Sequence, residues 1–104
     1  MAVIAVLTNL PDSESAFNLA RHIVQLRLAA CANVLSPVRS FYRWEGRDEE
    51  STEVPVLMKS TRDRYEQLER AILERHPYDL PEIIAWPIEG EAKYLEWVEA
   101  ECAP

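Results

Sequence analysis

Residues 38–61 constrain this chain more than any other stretch. "VRSFYRWEG" alternates, with Phe41, Arg43 and Glu45 on one side and Ser40, Tyr42 and Trp44 on the other. Gly46, Arg47 and Asp48 supply a turn, and "EESTEVPVLMKST" returns as a second arm. Each arm holds about twelve residues or more, which is roughly 40 Å of strand. A domain of 104 residues has a radius of gyration of about 13 Å and so a diameter of about 30–35 Å. The hairpin must therefore bend or outgrow its own globule. Phe41, Tyr42 and Trp44 ride on the projecting part, and exposed aromatic ribbons associate unless something covers them. The expectation is a homo-oligomer whose hairpin tips lie on neighbouring subunits. The alternative is a hairpin that bends at Pro37 and Pro55 and folds back onto its own sheet.

The remaining elements follow from periodicity. "AVIAVLT" (2–8) reads as a strand buried on both faces. Pro11, Asp12 and Ser13 suit a helix start. The helix over about 13–28 puts Ala16, Phe17, Leu19, Ala20, Ile23 and Val24 on one face and His22 on the solvated one. Pro55 predicts a bulge or an edge. Thr61 caps a second helix over about 62–76, in which Tyr65, Leu68, Ile72 and His76 form the apolar stripe and Pro77 stops the run. "EIIAWPI" is a further strand, placed at a sheet edge by Pro87. Gly90 breaks it, and Glu91 to Cys102 form a last helix burying Tyr94, Leu95, Val98 and Cys102. The order predicts an α+β fold: a ferredoxin-like βαββαβ sandwich with a long β-hairpin and an extra C-terminal helix. One domain spans 1–104.

Charge and composition narrow the function. The formal net charge of −7 argues against nucleic-acid partners, because phosphate binding needs an excess of Lys and Arg. Two cysteines give neither a disulfide framework nor a paired zinc signature, and reduced thiols are expected. No apolar run is long enough to cross a membrane, and "MAVIAVLTN" lacks a basic leader, so neither a membrane span nor a signal peptide is expected. G-x-S-x-G, Walker and H-E-x-x-H patterns are absent, so no enzyme is expected.

Five blocks in one collinear order carry a resemblance: "RLAACANV" (27–34), "SFYRWEG" (40–46), "EVPVLMKST" (53–61), "HPYDLPEII" (76–84) and "YLEWV" (94–98). Together they resemble the CutA family of divalent-cation tolerance proteins. The resemblance implies a ferredoxin-like subunit, a tight trimer akin in architecture to PII signalling proteins, a cytoplasmic setting and a link to copper and other divalent metals. It implies no enzymatic activity and no organic cofactor. One departure concerns the residue before the proline that opens the first helix. Family members often carry cysteine there, and this chain has Leu10, so a thiolate from that place is missing.

Two site readings follow. For a metal ion, Cys31 and His76 are the candidate soft and borderline donors, with Glu50, Glu53, Asp79 and Glu82 as hard oxygen donors. One chain lacks three or four convergent soft donors, and a trimer multiplies each. For a small ligand, Pro77 and Pro81 stiffen the connection that carries Tyr78, Asp79 and Glu82. In a trimer His76, Tyr78 and Glu82 would meet Tyr42, Trp44, Glu53 and Lys59 of the hairpin near a subunit boundary, forming a cleft. His76 also sits where a histidine can hydrogen-bond an orphan carbonyl at a helix end.

Overall fold

A computed structural model describes residues 2–104; Met1, the first residue of the single-domain span, lies outside them. The elements are β1 (Val3–Leu10), α1 (Ser13–Gln25), β2 (Cys31–Val34), β3 (Val38–Trp44), β4 (Arg47–Thr61), α2 (Tyr65–Arg75), β5 (Ile83–Pro87) and α3 (Ala92–Glu101). The sheet runs β2-β4-β1-β5, with β3 pairing β4 beyond β2, and every pairing is antiparallel. Counted as one interrupted arm, β2 and β3 complete the βαββαβ order that periodicity predicts.

Alternation decides what each strand buries. Ile4, Val6, Thr8 and Leu10 of β1 lie opposite Ser60, Met58, Val56 and Val54 of β4. These residues are buried together with Leu19 and Ile23 of α1 and Leu68 and Ile72 of α2. Both helices thus roof one face of the sheet. α3 packs on the other face at one end only, where Val98 and Cys102 meet Val3. The rest of that face stays open in the subunit, and it carries Ile84 and Trp86, both exposed.

Helix ends are set by local chemistry. Asp12 caps α1, its Oδ1 accepting from the Ser15 N–H at 2.8 Å, which holds its carboxyl below the usual range. α1 ends at Gln25, short of the expected residue 28. Arg27 takes a left-handed φ of 61°, its N–H bonds Val24 O at 3.0 Å, and Leu28 N–H bonds Ile23 O at 3.2 Å. Leu28 and Ala29 read as helix because they are apolar, but they enter the core through this turn. The Arg27 guanidinium reaches Ala100 O and Glu101 O, both at 3.1 Å, and so closes the C-terminus of α3.

The second helix also starts late. Thr61 makes no side-chain cap bond; a 3-10 turn over Arg62–Arg64 intervenes, and α2 begins at Tyr65. Glu91 caps α3, accepting from the N–H groups of Tyr94 and Lys93. Of the four residues expected to be buried on α3, Val98 and Cys102 are, Leu95 is half-buried, and Tyr94 is exposed with its ring 5.6 Å from Trp97. His22, expected in solvent, is half-buried.

The irregularity expected at Pro55 falls on the opposite arm. β4 runs unbroken for 15 residues, with Pro55 paired to Asn9. Val34 pairs Val56 whereas Val38 pairs Glu53, so three residues of the first arm face two of β4. A strand residue points its N–H and C=O to the same neighbour. Pro55 accepts from Leu35 N–H at 2.9 Å, so its missing donor faces the Leu35–Pro37 interruption. The bulge lies where a ladder bond was unavailable. The turn also sits earlier than expected: its centre is Glu45 and Gly46, at φ of 52° and 79°, and Arg47 and Asp48 already belong to β4. With the hairpin extended, the molecule measures 44 × 24 × 23 Å. It does not fold back onto its own sheet.

Candidate functional site

A groove of about 850 Å³ opens between the projecting hairpin and the segment that follows α2. One wall is built by strand register. Ser40 lies opposite Ser51, Tyr42 opposite Glu49, and Val38 opposite Glu53, so these side chains and Trp44 share one face of the ribbon. Tyr42 and Ser51 exchange a hydroxyl hydrogen bond of 3.3 Å. The ribbon's other face is ordered differently. There Arg39 pairs Glu50 at 3.1 Å and Arg43 pairs Asp48 at 2.7 Å.

The second wall is the segment from Pro77 to Glu82, and His76 fixes its root. His76 is the C-terminal cap of α2, with extended backbone, rather than a member of the helix stripe. Its Nε2 donates to Asn9 O at 2.8 Å, and its Nδ1 accepts from the Tyr78 N–H at 3.2 Å. Those two partners define a neutral ring with its proton on Nε2. Burial lowers the pKa of His76, opposed by the Asn9 bond and by Glu53. The carbonyl it satisfies belongs to β1, not to its own helix. Tyr78 packs against His76 with ring centroids 4.9 Å apart. Its hydroxyl is pushed up, first by burial and then by the Glu53 carboxylate across the groove. Glu82 Oε1 accepts from Asn9 Nδ2 at 3.4 Å.

The structure therefore gathers five of the seven expected cleft residues in one chain: Tyr42, Trp44, Glu53, Tyr78 and Glu82. His76 stands behind the Tyr78 wall. Lys59 lies elsewhere: it pairs Cys31 across β2 and Ala5 across β1, and its Nζ donates to Asn33 Oδ1. Cys31 also turns to that oxygen, with Sγ to Oδ1 3.6 Å. Cys31 and His76 are not brought together within the chain. Among the described residues no three His, Cys, Asp or Glu side chains converge as metal ligands do. Asn9, Pro11 and Leu80 line the groove without having been singled out. Asn9 holds His76 through a backbone carbonyl, which has no residue-type signal, and reaches Glu82 through its side-chain amide.

Comparison with known proteins places these observations. The family described as CutA1 divalent ion tolerance protein matches residues 4–101. The divalent-cation tolerance protein CutA of Thermus thermophilus is 40% identical over 94 residues, 89% of this chain and 91% of that protein. The solved structure of the divalent cation tolerance protein from Thermus thermophilus superposes with a TM-score of 0.94 at 37% identity, covering 97% of this chain and 99% of that one. The Archaeoglobus fulgidus CutA structure, described as a periplasmic divalent cation tolerance protein, gives a TM-score of 0.93 at 28% identity over 97% and 99% of the two chains. No helix among the described residues is long and apolar enough to cross a membrane.

Proposed function

This chain belongs to the CutA1 divalent ion tolerance family, and from that premise we propose that it serves divalent-cation tolerance in the cytoplasm as a homotrimer binding copper or another divalent ion, without catalytic turnover. The observation that carries the assembly is the half-covered sheet. α1 and α2 roof one face, while Ile84 and Trp86 stand open on the other and Phe41 is 72% exposed on the ribbon. Apolar surface on both the sheet and the ribbon favours association.

The same assembly is what a metal site needs. Cys31 and His76 lie apart in one chain, so a shared ion would draw donors from different copies. A metal at His76 must also displace either Asn9 O or the Tyr78 N–H. Calorimetric titration with copper and zinc tests this. Saturable binding, weakened in Cys31→Ser or His76→Asn, is expected; no binding at micromolar metal would sink the metal role. A second reading, a PII-like sensor or scaffold taking a small ligand at clefts between subunits, is favoured by the groove under the hairpin. That groove is far larger than one ion.

A further inference from the structure

We propose that the groove beneath the hairpin binds an aliphatic polyamine, a chain of ammonium groups separated by methylenes. The inference rests on the second reading above and names the ligand class of that groove.

Charge segregation across the ribbon is the first ground. The ribbon's back face pairs its cations internally, Arg39 with Glu50 and Arg43 with Asp48. The groove side carries Glu49 and Glu53 from the hairpin and Asp79 and Glu82 from the facing segment, none of them in an ion pair among the described residues. No Lys or Arg is among the described lining residues. Arg47, opposite Trp44, is the cation on that face of the ribbon, and it lies at the outer end beside the turn. A groove with low-dielectric walls and charge of one sign concentrates ligands of the other.

Spacing excludes the simplest cation. The acids border a groove of about 850 Å³ and do not converge as ligands to one ion. Carboxylates on two facing walls suit several separated charges better than a single point charge. Each ammonium supplies N–H donors to the carboxylates, which only accept. Between the acids lie Tyr42, Trp44, Tyr78 and Leu80, surfaces against which methylenes pack and over whose ring faces an ammonium is attracted. An anionic nucleotide would meet the acids as like charges, and a neutral apolar ligand would cover carboxylates while offering them no donor.

The test is calorimetric titration of the assembled protein with spermidine at about 150 mM salt, where a Debye length of about 8 Å suppresses diffuse attraction. Saturable binding is expected, weaker for putrescine, and reduced at least about fivefold by Glu53→Gln or Glu82→Gln, as loss of a charge-assisted bond predicts. Glu74→Gln on the exposed side of α2 changes net charge equally and is expected to leave binding unaltered. Circular dichroism checks each fold; if a groove variant unfolds, Trp44→Ala on the ribbon replaces it, with a similar loss expected. Absence of saturable heat overturns the proposal, including the case in which a neighbouring copy fills the groove. So does an equal loss in Glu74→Gln, or displacement of spermidine by equimolar magnesium. Binding of ATP in place of spermidine overturns the cationic ligand but leaves the ligand-groove reading standing.

Discussion

β4 is one strand living in two environments. From Val54 to Thr61 it is paired with β1, from Val56 to Lys59 with β2 as well, and it is roofed by helices; its residues read "VPVLMKST". From Arg47 to Glu53 it is paired with β3 alone, and its residues read "RDEESTE". Val54, Val56 and Met58 are all buried, whereas every residue from Arg47 to Glu50 is exposed. The inner half is held by burial that its own chain supplies. The outer half has ladder bonds, two surface ion pairs worth little each, and rings on open display. A two-stranded ribbon is marginal alone in water. The same backbone is thus stabilised by the core at one end, and at the other, under the proposed assembly, it rests on a second surface.

Breaking the inner half should cost most. Met58→Ala removes a fully buried side chain and should destabilise by about 2–5 kcal/mol in chemical denaturation at fixed protein concentration. A loss under about 0.5 kcal/mol would mean that the inner half is not where stability resides. Phe41→Ala in the outer half sharpens the contrast. If the ring only met water, the change would be within about 0.5 kcal/mol. The present account instead expects weakened association, seen as a melting temperature that becomes more dependent on concentration.

The junction between the halves carries a pH signature. The folded-state pKa of His76 is lowered below the ordinary 6.5, chiefly by burial. The unfolded chain therefore binds its proton more readily, so stability is complete above 6.5 and falls as the pH drops below it toward the folded value. Melting temperature should decline from about pH 7 to pH 5, and His76→Asn should flatten that component. An unchanged slope in the variant would assign it to other groups. The smallest effect lies at the tip. Glu45 holds a left-handed φ of 52° that asparagine tolerates better, so Glu45→Asn should stabilise the hairpin by about 0.5–1 kcal/mol. A destabilised variant would contradict the turn geometry.

Residue patterns made much of this legible. A continuous apolar run marked β1, alternation marked the first hairpin arm, the capping chemistry of Asp12 marked α1, and Pro87 marked the edge strand. What escaped was whatever depends on a distant backbone group. Pro55 announced an irregularity, but only the pairing of Leu35 with Pro55 reveals that the other arm absorbs it. The helical stripe enrolled His76, which instead leaves the helix to reach Asn9 O, 67 residues away. Lys59 and Glu53 share a face of β4 by parity, yet six residues of strand separate them by roughly 20 Å. Within one chain they therefore face different neighbours. Tyr94 fits the amphipathic period of α3, but the helix meets the sheet only at its Val98 and Cys102 end.

The central claim is that the ribbon ending at Gly46 gains its stabilising surface from other copies of the chain. Light scattering coupled to size-exclusion chromatography, at concentrations where circular dichroism confirms the fold, tests it directly. The account predicts a mass of about 36 kDa, three times the 12.0 kDa of one chain. A folded species at 12.0 kDa would contradict it.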